Sequence, residues 1–121
     1  MRYFTRKLVM SSDLNGRGTL FGGQLLKWID EEAGIFAYCQ ADTEHLVTKA
    51  ISEIEFVSPV MQGDIIEFGC ELINFGKTSL SVKMNVRNKT TKQIITTIDK
   101  ITFVNVDRYG KPKKVYKRIE K

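Results

Sequence analysis

The spacing of apolar residues changes once along the chain, and this change most constrains the fold. Between Gly22 and about Cys39, apolar residues recur every three or four positions, which is typical of one buried face of an α-helix. These residues are Leu25, Leu26, Ile29, Ala33, Phe36 and Ala37. Later in the chain the spacing becomes two, which predicts strands with one buried face. The predicted strands are residues 46–57, 65–75, 78–88 and 93–106.

The segment before the helix completes the predicted topology. Residues 2–10 predict a first strand, and the polar, glycine-containing residues 11–21 predict a loop. The order therefore indicates an α+β fold, in which one helix covers the apolar face of an antiparallel sheet of about five strands. One helix cannot also cover the sheet edges, and an uncovered edge favours pairing with another chain. We therefore expect a dimer.

Positive charge is confined to the C-terminal end of the chain. Residues 1–106 contain equal numbers of acidic and basic side chains, whereas residues 107–121 contain seven basic and two acidic ones. We expect residues 1–106 to form one domain and residues 107–121 to form a basic, solvated tail. A basic strip can also bind a polyanion, such as a nucleic acid, a membrane surface or a phosphorylated ligand.

The cysteines and the apolar content disfavour several classes of protein. Cys39 and Cys70 have neither paired spacing nor a neighbouring histidine, so we expect reduced, buried thiols rather than a disulfide or a metal site. The sequence contains no uninterrupted run of about 18 apolar residues and no secretion signal pattern. We therefore expect a cytoplasmic protein without bound metal or membrane insertion.

The candidate functional residues concentrate around the glycine-rich segment that leads into the helix. Asn15 lies in this segment, and Gly22 and Gly23 begin the predicted helix. Backbone N–H groups at a helix N-terminus lack intrahelical partners and lie at the positive end of the helix dipole, so they can stabilise an oxyanion. Asp30 follows Gly22 by eight residues, about 12 Å along the helix axis, and borders the apolar face.

The glycine spacing does not match two common nucleotide-binding motifs. Phe21 replaces the third glycine of the dinucleotide fingerprint, and Glu71 replaces the first glycine of a phosphate loop that would end at Lys77 and Thr78. The sequence also lacks the GxSxG motif of serine hydrolases, and its one histidine, His45, precedes a predicted strand. These functions are therefore disfavoured.

Several longer motifs occur together along the chain. They are Asn15-x-x-Gly18-x-x-Phe21-Gly22-Gly23, Asp30, Glu32-Ala33-Gly34, Phe56-Val57-Ser58-Pro59-Val60, Gly63-Asp64, Gly76-Lys77-Thr78-Ser79 and Val106-Asp107 with Gly110-Lys111-Pro112. In this order they resemble the hot-dog acyl-CoA thioesterases, particularly the small bacterial YciA-like type. The resemblance implies a long central helix wrapped by an antiparallel sheet.

The resemblance also implies an activity, the hydrolysis of acyl-CoA to free CoA and a carboxylic acid. It suggests Asp30 and Asn15 as catalytic residues from opposite subunits, with active sites at a dimer interface and a trimer of dimers as the assembly. Gly22 and Gly23 would form the oxyanion site. The ionised Asp30 would either activate water or attack the carbonyl directly, and both routes stay open. No separate cofactor is expected, because CoA is part of the substrate.

Other residues receive weaker assignments. The resemblance suggests Lys77, Thr78 and Ser79 as CoA-binding residues. Charge alone suggests Lys111, Lys113 or Lys114 for the CoA phosphates. Glu31 and Glu32 are expected on an exposed helix face, and Trp28 in packing or at an oligomer interface.

Three alternative functions fit the sequence less well than hydrolysis. A hot-dog dehydratase would need a catalytic histidine, but His45 lies outside the glycine segment. A non-catalytic acyl-CoA sensor would use the same pocket without needing Asp30. A nucleic-acid-binding arm would explain the basic tail, but no recognition motif accompanies it, so we expect no nucleic-acid partner.

Overall fold

The computed structural model describes residues 1–119, in which one α-helix packs against a five-stranded sheet. The elements are β1 (Arg2–Leu8), a short 3-10 helix (Ser11–Asp13), α1 (Gly22–Gln40), β2 (Leu46–Ile51), β3 (Ile65–Phe75), β4 (Ser79–Asn88) and β5 (Ile94–Asn105). Neighbouring strands are antiparallel in the order β1-β3-β4-β5-β2. The α+β prediction is confirmed. Within residues 1–119, no helix combines the length and apolar character needed to cross a membrane.

The core lies between α1 and the inner face of the sheet. The alternation predicted for β4 is confirmed, since Leu80, Val82, Met84 and Val86 are all fully buried. On the helix, four of the six predicted core residues are buried, whereas Phe36 is half-buried and Leu26 is 40% exposed. Small side chains such as Ala33 and Ala37, both fully buried, allow the helix to lie close to the strands.

Strand β2 is shorter than the sequence predicts. The alternating pattern extends to residue 57, but the strand ends at Ile51. Beyond it, the N–H groups of Ser52 and Val57 donate to the carbonyls of Lys100 and Ile95 without a regular ladder between them. Because β2 is an edge strand, it has a neighbouring strand on one side only, which weakens the constraint on its length.

The basic C-terminal segment packs against the domain. The N–H of Val115 donates to the carbonyl of Lys77 at 3.0 Å, and the Val115 side chain is buried. The Arg118 guanidinium donates to the carbonyls of Tyr38 and Ala41, both at 3.2 Å, so a cation caps the C-terminal end of α1. The side chains of residues 108–114 and 116–119 are nevertheless exposed, and both the tail and the domain boundary at residue 106 stay predictions.

Two expectations about side-chain exposure are wrong. Cys70 is buried as expected, but Cys39 is exposed, because it lies on the outward side of α1. Burial raises the pKa of the Cys70 thiol to about 12, and the charge of Glu32 adds to this effect. Glu32 itself is not fully exposed, since its side chain is 11% exposed and lies 3.7 Å from the Lys7 ammonium.

Glu67 forms a buried ionic network on the outer face of β3. Its carboxylate accepts hydrogen bonds from Arg87 Nε at 2.6 Å, Arg6 Nε at 3.3 Å and Lys92 Nζ at 3.4 Å. The Arg87 guanidinium also stacks over the ring of Tyr3, 3.6 Å from its centroid. Burial alone would raise the pKa of Glu67, but the hydrogen bonds and positive charges of these partners hold it below 4.5.

This network predicts acid-sensitive stability. Because the pKa of Glu67 is lower in the folded chain, its contribution is complete above about pH 4.5 and disappears as the pH falls through the lowered value. At pH 7 we expect Glu67→Gln to reduce the free energy of unfolding by about 1–3 kcal/mol, since it weakens hydrogen bonds to three cations. The difference from wild type should shrink at pH 3.

Denaturant titrations at the two pH values measure this effect. Glu71→Gln is the matched control, because Glu71 lies on the same strand but is exposed. An equal loss of stability in both variants at pH 7 would contradict the role of the network.

Candidate active site

Asn15 closes the turn at the centre of the glycine-rich segment. Its Oδ1 accepts hydrogen bonds from the N–H groups of Arg17 at 2.9 Å and Thr19 at 3.2 Å. Its Nδ2 donates to Thr19 Oγ1 at 2.9 Å. Gly18 has φ +82°, in the left-handed region that favours glycine. The side chain therefore organises the turn, and its catalytic role stays a prediction.

Asp13 connects this segment to the start of α1 through hydrogen bonds. The sequence did not predict this role. The Asp13 carboxylate accepts from Gln24 Nε2 and from the N–H of Met10, both at 2.8 Å, and its carbonyl accepts from the N–H of Phe21. Asp13 is only 8% exposed. Because Asp13 precedes Gly22 by nine residues in the sequence, no local helix-start pattern indicates this role.

The start of α1 presents free backbone donors, as predicted. The N–H groups of Gln24 and Leu25 donate to the carbonyl of Phe21, whereas those of Gly22 and Gly23 have no acceptor among residues 1–119. A Cβ at Gly23 would lie 2.8 Å from the Phe21 ring, so the absence of a side chain there allows close packing.

A cavity of about 390 Å³ lies beside this helix start. Its lining residues are Asn15, Thr19, Leu20, Gly22, Leu25, Phe56, Val57, Ser58, Pro59, Val60 and Ile95. The structure therefore brings Asn15 and Gly22 together. Gly23 is next to Gly22 but does not line this cavity.

Asp30 lies elsewhere, on an exposed part of α1 facing β2. Its Oδ1 accepts a hydrogen bond of 2.7 Å from Thr48 Oγ1. The helix motif alone does not predict this partner. The two residues line a second cavity of about 320 Å³. The other lining residues are Glu31, Gly34, Ile35, Tyr38, Leu46 and Phe103. The two cavities share no lining residue, so Asp30 and the pair Asn15 and Gly22 line different cavities of one chain.

The second cavity lies next to an open edge of the sheet. Strand β2 pairs with β5 on one side and ends the sheet on the other. Val47, which precedes Thr48 on this strand, is 48% exposed. A second chain that paired here would approach Asp30 and Thr48 directly.

Lys77 and Thr78 lie in the turn between β3 and β4, and Ser79 is the first residue of β4. None of the three lines either cavity. The carbonyl of Thr78 accepts from the N–H of Asn105, which pairs with Leu46 in the wall of the second cavity. The three residues therefore lie at the same end of the sheet as that cavity. Lys113 is nearby, because its N–H donates to the carbonyl of Asn105.

Other chemistries find little support within residues 1–119. No group of three or more histidine, cysteine, aspartate or glutamate side chains is arranged to hold a metal ion in this part of the chain. His45 is exposed and lines neither of the two cavities. The geometry thus offers a carboxylate, an amide and a helix N-terminus as the reactive groups.

Comparison with known proteins agrees with this geometry. The chain is 31% identical to the acyl-CoA thioester hydrolase YciA of Escherichia coli over 114 residues, covering 89% of this chain and 86% of that protein. A hexameric thioesterase from Yersinia pestis superposes with a TM-score of 0.87 at 29% identity, covering 97% of each chain.

Two further matches complete the comparison. An acyl-CoA hydrolase from Staphylococcus aureus, solved with butyryl coenzyme A, has a TM-score of 0.82 and 31% identity over 96% of this chain and 69% of that chain. The observed architecture is thus the hot-dog fold of these thioesterases, as the sequence motifs implied. The family model of the Thioesterase superfamily matches residues 17–95, and the chain belongs to this superfamily.

Proposed function

We propose that this chain is an acyl-CoA thioesterase whose active site is shared by two subunits. The observation that carries the proposal is the separation of two complementary half-sites on one chain. Gly22 and Asn15 line one cavity, and Asp30 with Thr48 lines another beside the open edge of β2. Relatives with acyl-CoA thioesterase activity support the substrate class.

The proposed reaction uses a half-site from each subunit. The thioester carbonyl accepts hydrogen bonds from the free N–H groups of Gly22 and Gly23, which stabilise the oxyanion formed on attack. Asp30 of the other subunit removes a proton from water, which attacks the carbonyl carbon. Collapse of the intermediate breaks the carbon–sulfur bond, and the CoA thiolate takes up the proton. Direct attack by Asp30, through an anhydride, remains the second route.

Neighbouring residues have supporting roles in the proposal. The Thr48 hydroxyl orients the Asp30 carboxylate through its 2.7 Å hydrogen bond. The second amide N–H of Asn15 holds the attacking water or the carbonyl. Lys77, with Thr78, Ser79 and the lysines of the C-terminal segment, provides the positive surface for the CoA phosphates. No separate cofactor is required. Hexameric relatives support a trimer of dimers for this chain as well.

A thiol-release assay with acetyl-, butyryl-, octanoyl- and palmitoyl-CoA tests the function. We expect turnover with at least one substrate at a kcat within the usual enzymatic range of about 1–1,000 s⁻¹. Calorimetric titration of the same substrates distinguishes the alternative, because an acyl-CoA sensor would bind them without releasing CoA. Binding without turnover would therefore overturn the proposal.

A further inference from the structure

Asn15 lies in a short antiparallel hairpin that leads into α1. Within this hairpin the N–H of Asn15 donates to the carbonyl of Thr19 at 2.8 Å. The base of the hairpin closes where the N–H of Phe21 donates to the carbonyl of Asp13, also at 2.8 Å. Phe21 is the residue that immediately precedes α1, so the Asn15 turn and the helix start meet beside Asp13.

The Asp13 side chain connects this hairpin to the first turn of α1 through another side chain. Its Oδ1 accepts a hydrogen bond of 2.8 Å from Gln24 Nε2, and Gln24 is the third residue of the helix. Its Oδ2 accepts from the N–H of Met10 at 2.8 Å, so both carboxylate oxygens have partners. The N-cap residue itself, Phe21, is apolar and forms no side-chain capping hydrogen bond.

The contact between Asp13 and Gln24 takes the place of the usual helix cap. In most caps a side-chain oxygen accepts from the N–H of the second or third helical residue. Such a cap would use a backbone donor of the turn that the proposed reaction needs for the oxyanion. Asp13 instead holds a side chain of that turn, and the N–H groups of Gly22 and Gly23 have no acceptor among residues 1–119. Because Asp13 is buried, water competes weakly for this hydrogen bond.

We infer that Asp13 is a positioning residue of the proposed active site. Through Gln24 it fixes the start of α1 relative to the Asn15 turn, and the inference rests on the proposed function. In that function Asn15 and the N–H of Gly22 act on the same reacting group, and a misplacement of about 1 Å can cost about 100-fold in rate. Asp13 lines neither cavity, so it acts through these groups and not on the substrate.

Exchanging the two partners tests the inference. Gln24→Glu places a second carboxylate against Asp13 and breaks the hydrogen bond. It should lower kcat for acyl-CoA hydrolysis by about 10- to 100-fold, with a smaller change in KM. The double variant Asp13→Asn/Gln24→Glu keeps the net charge of wild type. It should recover most of the lost kcat, because the introduced amide donates to the introduced carboxylate while its oxygen still accepts from the N–H of Met10.

Gln24→Ala removes the donor without adding a charge and, since alanine favours helices, is expected to fold even if Gln24→Glu does not. It should also lower kcat in assays run well below the thermal transition, which thermal unfolding locates for each variant. If Gln24→Ala keeps the kcat of wild type, the contact serves stability alone and the inference is wrong. The inference is equally wrong if the double variant is as slow as Gln24→Glu. In both cases wild-type hydrolysis still supports the proposed function, whereas a wild type without turnover would overturn both.

Discussion

Asp30→Asn should lower kcat for acyl-CoA hydrolysis by about 100- to 10,000-fold, because the amide cannot accept the proton of the attacking water or form an anhydride. The KM should change little, since Asn is nearly isosteric with Asp. Its amide oxygen can still accept the Thr48 hydrogen bond that is 2.7 Å long in the structure. Steady-state assays of thiol release measure both constants.

Two further variants test whether the loss of activity is specific to the Asp30 carboxylate. Thr48→Val should reduce kcat by a smaller factor, because it removes the hydrogen bond that orients the carboxylate but leaves the carboxylate in place. Asp99→Asn serves as the control for loss of an aspartate charge, since Asp99 is exposed and lines neither cavity. Full activity of Asp30→Asn would remove Asp30 from the mechanism.

Asn15→Asp should lower kcat by about 100- to 1,000-fold, the usual effect of losing one hydrogen-bond donor to an oxyanion or attacking water. The change keeps the oxygen that accepts from Arg17 and Thr19, so the turn should still form. The proposed shared site then predicts complementation between two inactive variants. Co-expression of Asn15→Asp and Asp30→Asn in equal amounts should restore about a quarter of wild-type activity, because random dimers place both intact residues at that share of sites.

Complementation distinguishes an active site shared by two chains from an active site formed within one chain. If Asn15 and Asp30 acted within the same chain, every site in a mixed dimer would contain one defect. Activity would then stay at the level of the single variants. Circular dichroism and thermal unfolding of the two proteins show whether a failure to complement reflects misfolding instead.

Much of the fold could be predicted because apolar periodicity records which residues face the core. The period of 3.6 located α1 to within one residue, and the period of two located β3 without error. The same reasoning placed the end of β2 too late. The separate expectation that Cys39 is buried was also wrong. Periodicity reports alternation or a helical stripe, but it does not report whether a neighbouring strand or helix lies opposite each residue.

For the candidate site too, the sequence predicts some features and leaves others undetermined. The glycine segment could be read from the sequence, because the turn at Asn15 and the free N–H groups of Gly22 and Gly23 depend on nearby residues. The hydrogen bond from Thr48 to Asp30 joins residues 18 positions apart on different elements. No local pattern predicts such a contact, because it depends on how α1 lies across β2.

The sequence by itself determined the α+β class and the helix with its glycine-rich start, since each depends on local spacing and residue chemistry. Tertiary structure decided three other features. It buried Glu67 among three cations, folded the basic segment back so that Arg118 caps α1, and placed Asp30 in a cavity separate from that of Asn15. The reason is that strand order brings together residues far apart in the chain, and the free energy of their contacts is gained only after the sheet has formed.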